Sequence, residues 1–327
     1  MIRLTIRQME YFEALAETEH FGRAAELAGV SQPALSAQIA EMEQRLSCRL
    51  FERGGRGVRM TEEARALRPR IGRILSEVRD LEAAARRGRR ALDGRFRLGI
   101  IPTVAPYLLP QMLPDLRKRF PELQLELREA VTDILVEETV AGRLDGFVAA
   151  LPIAHPQIAT EALFTDRFFL AVPKDDPGFV EPPVPPESPA LERLMLLEEG
   201  HCMREQALAV CGKVRPAAMA NYGATSLTTL LQMVAHGHGV TLIPEMAAGE
   251  SATAAISIVP FADPMPARTI CLAWRRNSSR QEECRLLAEL LRKFGRKSDD
   301  AEKAQREPEP HRAEHEEAER EERAAIT

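Results

Sequence analysis

The chain has 327 residues, 45% hydrophobic and 28% charged, with a net charge of −5 and five cysteines. That length suits two or three domains, each with its own core. No apolar run is long enough to span a bilayer, and the start Met1-Ile2-Arg3-Leu4-Thr5-Ile6-Arg7 lacks an apolar signal core, so the expected compartment is the cytoplasm. There the cysteines (Cys48, Cys202, Cys211, Cys271, Cys284) are expected to be reduced at rest, and a reacting pair would be catalytic or sensing. Their spacings match no zinc pattern. The charge is unevenly spread: residues 299–327 carry 11 acidic and 5 basic side chains, whereas residues 1–90 carry 17 Arg and 13 Asp or Glu. The basic excess therefore lies where DNA phosphates would need it.

Thr5 and Gln8 form a capping-box pattern before Met9, Phe12, Leu15 and Ala16, which repeat at helical spacing. A second short helix is expected over 21–28, closed by Gly29-Val30. Ser31 then caps a third that begins Gln32-Pro33 and buries Leu35, Ile39, Met42 and Leu46. This is the helix-turn-helix arrangement, and the Gly/Arg-rich stretch 53–59 reads as a wing hairpin. A long helix over about 62–90 follows. In it Leu67, Ile71, Ile74, Val78, Leu81 and Ala85 make a heptad seam that points to a dimer.

From Arg95 short apolar strands alternate with helices, which predicts an α/β region. Strands are expected at 96–101, 123–127, 147–151, 168–172, 194–197, 240–243 and 269–274, with helices near 107–120, 134–141, 204–210, 226–235 and 281–294. The resulting plan is a winged helix-turn-helix over 1–60 and a linker helix over 61–92. A two-lobed α/β regulatory domain follows over 93–298, with lobe I at about 93–165 and 265–298 and lobe II at about 166–264. The charged tail 299–327 is too poor in large apolar residues to bury a core and is expected to be disordered or a solvated helix.

The most informative segment is Gly200-His201-Cys202-Met203-Arg204-Glu205-Gln206-Ala207-Leu208-Ala209-Val210-Cys211. Strong helix formers follow Cys202, which places it in a first helical turn. The helix N-terminus, a protonated His201 and Arg204 would all favour its thiolate. A helix continuous to Cys211 would hold the two Cα atoms roughly 13 Å apart at ~1.5 Å rise per residue, whereas a disulfide needs them within about 7 Å. Joining them would unwind local structure and act as a switch. The other three cysteines read as core filling.

The segment 24–36 (Ala24-Ala25-Glu26-Leu27-Ala28-Gly29-Val30-Ser31-Gln32-Pro33-Ala34-Leu35-Ser36), followed by Leu50-Phe51-Glu52-Arg53 and Met60-Thr61-Glu62, resembles the signature of the LysR-type transcriptional regulators. The resemblance covers about residues 3–295. Arg65 stands where members commonly have Gly. Within the family, 200–211, 101–110, 224–227 and 267–270 are similar to the hydrogen-peroxide sensors. That resemblance implies that Cys202 is the peroxidatic residue and Cys211 its resolving partner. Thr103, His201, Arg204 and Arg268 stand at active-site positions, with Thr132 a further threonine of the pocket. Thr103 would orient the peroxide, His201 and Arg204 would stabilise the thiolate or help the leaving group, and Arg268 would order the pocket.

On DNA, Gln32 and Ser36 would reach base edges from the recognition helix, with Gln38 a weaker candidate on the same face, while Ser31 and Pro33 set its approach. Arg53 and Arg56 would meet phosphate or the minor groove. The implied partners are promoter or operator DNA, hydrogen peroxide, RNA polymerase, a glutaredoxin- or thioredoxin-type reductant, and further copies of the chain in a dimer or tetramer. No cofactor, metal or membrane is implied. Two other readings stand beside this one: a regulator gated by a small organic effector in the cleft between the lobes, and a thiol peroxidase enzyme, which would need neither a winged helix-turn-helix nor a heptad seam.

Overall fold

The computed structural model describes every residue except 1–2, 55–56, 86–90, 176–180, 186, 212–223, 225, 252–254 and 307–327. Three helices open the chain: α1 Ile6–Thr18, α2 Phe21–Leu27 and α3 Gln32–Leu46. The capping box at α1 forms as the sequence requires, with Thr5 Oγ1 accepting from Gln8 N and Gln8 Oε1 accepting from Thr5 N. Gly29, at φ +65°, closes α2 in the left-handed turn that glycine adopts without strain. Gly29 N donates to Glu26 O and Val30 N to Ala25 O. Ser31 Oγ then accepts from Ala34 N to start α3.

Phe12, Leu15, Leu35, Ile39 and Met42 are fully buried between these helices. The wing is an antiparallel hairpin of β1 Phe51–Gly54 and β2 Gly57–Met60. Glu43 Oε1 fixes its entry by accepting from Leu50 N and Phe51 N.

The linker helix α4 spans Glu62–Ala85, and Thr61 Oγ1 caps it by accepting from Ala64 N. Its apolar residues divide between two tasks. Ala64, Ile71 and Leu75 are buried in the core shared with α1–α3, whereas Ile74 is 42% and Leu81 70% exposed. Ile71, expected in an intermolecular seam, is therefore packed within its own chain. Residues 86–90 of the expected linker lie outside the described residues.

The regulatory region comprises β3 Gly94–Ile100, α5 Ala105–Arg119, β4 Leu123–Glu129, α6 Thr132–Val140, β5 Gly146–Ala150 and β6 Ile158–Pro173. It continues through α7 Cys202–Cys211, α8 Leu227–Ala235, β7 Thr241–Pro244, α9 Glu245–Ser251, β8 Ile256–Pro260, β9 Ala267–Arg275 and α10 Gln281–Arg306. The strands lie in the order β4-β3-β5-β9-β6-β7, with β8 also on β6. Strand β6 serves both lobes: residues 158–167 pair with β9, and residues 168–173 with β7 and β8. Two separate cores result. Phe96, Leu98, Phe147, Ile270 and Leu287 centre one, and Phe168, Leu170, Leu194, Leu230 and Leu242 the other.

Three expectations need correction. Leu194–Leu197 is buried but forms no ladder. It meets its neighbours only at the bridges Leu194 to Val240 and Leu197 to Ala224, each flanking segment touching it at one residue. Strand β6 begins ten residues before the expected Phe168, because its first half pairs with β9. Helix α10 continues beyond 294 to Arg306, since the next proline is Pro308. Residues 299–306 of the tail are thus helical, and 307–327 lie outside the described residues. Among the described residues no helix is long and apolar enough to cross a membrane, and no cluster of His, Cys, Asp and Glu could hold a metal ion.

Candidate functional site

Helix α7 starts at Cys202 and bridges the two lobes. Met203 and Ala207 are buried in the second core, while Cys202 packs against the first. The thiol therefore stands at the junction, half-buried, at the positive end of a helix. Cys202 and Cys211 are the two ends of one uninterrupted helix. At ~1.5 Å rise per residue they are roughly 13 Å apart, too far for a disulfide without unwinding.

A buried polar group is made by residues distant in sequence. The side chains of Arg268 on β9 and Asp166 on β6 are 0% and 2% exposed, and Arg268 Nε donates to Asp166 Oδ2 at 2.9 Å. Asp166 Oδ1 accepts from Met246 N. Arg268 Nη1 donates to Thr103 Oγ1 at 2.8 Å and Nη2 to Thr103 O at 3.1 Å, with its guanidinium over the Phe168 ring. A hydroxyl that accepts from a guanidinium has its own proton free to donate elsewhere. Arg268 thus orients Thr103 as a donor. This gives physical content to the ordering role assigned to Arg268, with Asp166 as the counter-charge that allows a guanidinium to be fully buried.

Two further polar atoms are buried without a hydrogen-bond partner: Thr132 Oγ1 at the start of α6, and Gln206 Oε1 on α7. The segment before α7 runs beside the start of α6, since Val131 Cγ2 lies 3.8 Å from where a Cβ on Gly200 would stand. An unsatisfied buried polar group is costly and calls for a partner, such as water or a bound polar molecule. The sequence reading missed Gln206 and Asp166. Gln206 was findable, being four residues after Cys202 and so on the same face of a helix already expected. Asp166 gave no local signal, because its partner is 102 residues away.

Burial pushes the His201 imidazole below its ordinary value, and the nearby Glu198 opposes this only in part. This shift works against His201 as the positive charge expected beside Cys202. The start of α7 and Arg204 remain, and Arg204 Nη1 is anchored on Leu197 O at 3.0 Å. Because the folded value is depressed, the His201 contribution to stability is complete above the unfolded value of about 6.5 and declines as pH falls toward the folded one. Wild type should lose more stability than His201→Asn between about pH 7 and pH 5. Urea midpoints that fall equally in both would show that His201 titrates as it does in the unfolded chain.

Burial pushes the Cys271 and Cys284 thiols up to about 12, so neither supplies thiolate at neutral pH. Cys48 is half-buried against the core of the reading head.

In that head Ser31, Gln32 and Pro33 are exposed at the start of α3, and Ser36 is half-buried one turn on. Gln38 is instead held by Glu41, to which it donates at 3.2 Å and which also receives Gln8 and pairs with Arg45. The backbone of Arg53 pairs with Val58 in the wing, and Arg56 lies outside the described residues.

Comparison with known proteins accords with this division of the chain. Residues 6–65 match the bacterial regulatory helix-turn-helix proteins of the lysR family, and residues 89–296 match the LysR substrate binding domain. The chain is 38% identical over 290 residues to the DNA-binding transcriptional dual regulator OxyR of Escherichia coli K12, covering 88% of this chain and 95% of that one. It is 39% identical over 289 residues to a probable hydrogen peroxide-inducible genes activator of Mycobacterium leprae, covering 88% and 93%.

Among solved structures, a Cys-to-Asp variant of full-length OxyR from Pseudomonas aeruginosa superposes with a TM-score of 0.76 at 32% identity, covering 89% of this chain and 96% of that one. A Cys-to-Ser variant of Corynebacterium glutamicum OxyR with hydrogen peroxide bound gives 0.62 at 32% identity, covering 91% and 94%. With the helix-turn-helix and the substrate binding domain matched in order, the chain belongs to the LysR family of bacterial helix-turn-helix regulators.

Proposed function

We propose that this regulator senses hydrogen peroxide with Cys202 and reports it to promoter DNA through a disulfide with Cys211. The observation that carries the reading is the placement of Cys202 at the start of α7, against the lobe that holds Thr103 with its hydroxyl proton freed by Arg268. The relatives named as peroxide-inducible activators support it. Peroxide would enter between the lobes, accept from the Thr103 and Thr132 hydroxyls and donate to the unpartnered Gln206 Oε1.

The Cys202 thiolate attacks one peroxide oxygen in line, the O–O bond breaks, and hydroxide leaves and is protonated to water. Cys202 becomes a sulfenic acid. The Cys211 thiol then displaces its hydroxyl as water, forming the S–S bond. Since α7 holds the two cysteines apart, this second step requires α7 to unwind. A glutaredoxin- or thioredoxin-type dithiol would restore both thiols. The reading head, in which Gln32 and Ser36 would read base edges and Arg53 and Arg56 would meet phosphate, would change its hold on operator DNA between the two states.

A non-reducing peptide map after one equivalent of peroxide tests this. It should show Cys202 linked to Cys211 in wild type, trappable sulfenic acid in Cys211→Ser, and no reaction at these positions in Cys202→Ser. Unlinked cysteines in wild type would sink the reading and leave a regulator gated by a small organic effector.

A further inference from the structure

One short helix lies between the segment that leads into α7 and the linker helix α4. Val131 caps α6 ahead of Thr132 and neighbours Gly200, two residues before Cys202: a Cβ on Gly200 would lie 3.8 Å from Val131 Cγ2. In its middle, Leu135 is fully buried in a notch of β3, where a Cβ on Gly99 would come within 2.6 Å of Leu135 Cδ2. At its last turn, Gly142 (φ +72°) closes the helix, with Gly142 N donating to Thr139 O and Arg143 N to Glu138 O.

That closing turn is pressed onto the linker helix α4. A Cβ on Gly72 would lie 2.5 Å from Ala141 O, and one on Gly142 would lie 2.2 Å from Ser76 Cβ. Arg79 Nη1 donates to Gly142 O at 3.1 Å, setting a cation on the negative end of the helix.

We infer that α6 is the lever by which the oxidation state of Cys202 reaches the DNA-reading head; the inference rests on the peroxide-sensing function proposed above. A nine-residue helix is a stiff rod of about 13 Å, and Leu135 in the Gly99 notch gives it a fulcrum. Unwinding α7 to join Cys202 and Cys211 withdraws Gly200 from Val131 and leaves the first turn of α6 without its neighbour. The rod then tilts on the notch, and its far end moves where Gly72 and Gly142 leave no slack.

Linker helix α4 passes the motion on, because its other face is part of the head. Arg68 pairs with Glu13 at 3.2 Å, and Ile71 and Leu75 lie in the head core. Beside this contact a cleft of 1470 Å³ opens between α1 and the strands β3 and β4, giving the head room to turn. Close-packed contacts of this kind respond in discrete steps and do not absorb strain gradually.

The test uses the full chain and three variants at the α4 end, away from the reacting centre: Arg79→Ala, Arg79→Lys and Gly72→Ala. Each is assayed for the rate of Cys202 oxidation and for operator affinity, reduced and oxidised. Ordinary allosteric coupling changes affinity by about 5–150-fold. In Arg79→Ala and Gly72→Ala the oxidation rate should stay within about twofold of wild type, while the ratio of oxidised to reduced affinity falls toward one. Arg79→Lys, which keeps a donor and a charge, should recover part of the ratio.

The ratio is the readout, since a merely destabilised linker would weaken both states alike. Should Gly72→Ala fail to fold, the Arg79 pair decides alone. A wild-type ratio in Arg79→Ala would overturn the lever and leave the sensing reading intact. A wild type that forms no Cys202–Cys211 link would overturn both.

Discussion

Asp166→Ala is expected to destabilise the protein by about 3–5 kcal/mol, the cost of stripping one partner from a buried ion pair. The size follows from the burial of both side chains, which leaves the Arg268 charge neither water nor a second carboxylate to turn to. Equilibrium unfolding in urea measures it. The same change should slow Cys202 oxidation, because Arg268 would no longer be held where it orients Thr103. The double replacement Asp166→Leu with Arg268→Met should recover much of the stability, since an apolar pair can substitute for a buried ionic one. It should not recover the oxidation rate, because the Thr103 hydroxyl loses its donor. A loss below about 1 kcal/mol in Asp166→Ala would put the group within the range of exposed pairs and remove the argument for its role.

If copies of the chain pair along the exposed seam of α4, aspartate at both Ile74 and Leu81 should leave a folded monomer. Ile74 is 42% and Leu81 70% exposed, and fully covering an exposed side chain of this kind is worth about 1.5–3 kcal/mol. Scaled by those exposed fractions, the four side chains of a two-fold pair amount to about 3–7 kcal/mol, or about two to five decades in dissociation constant. Sedimentation velocity should show a monomer with an unchanged helical signal. A persistent dimer would place the main interface elsewhere than α4. Changing Ile71 in the same way should instead unfold the head, because that side chain is interior.

The reading head was legible almost to the residue, because its signals are local. The Thr5 and Gln8 box, the Gly29 turn and the Ser31 cap are each set by chemistry within four residues, and each forms as read. The start of α7 was legible for the same reason. The heptad seam was read less well: spacing along a helix does not say whether an apolar face meets a partner or its own domain, and Ile71 took the second course. The strand assigned to 194–197 failed because four apolar residues show burial but not pairing. At the site, Thr103 and Arg268 rested on family likeness alone. Asp166, which holds Arg268 in place, could not be seen until the fold brought β6 and β9 side by side.

Strand β6 bears on what kind of motion this regulatory region permits. Its sixteen residues run without interruption through both lobes, changing ladder partners at Arg167 and Phe168, where Phe168 N donates to Pro266 O. A jaw-like closing of one lobe on the other would have to crease this spine and break hydrogen bonds on one side of the crease. Refolding of α7 leaves the spine untouched. Under the proposed switch this spine would stay fixed while α7 and the α6 rod move against it, so a change at α7 would reach α4 without being absorbed by bending of the sheet.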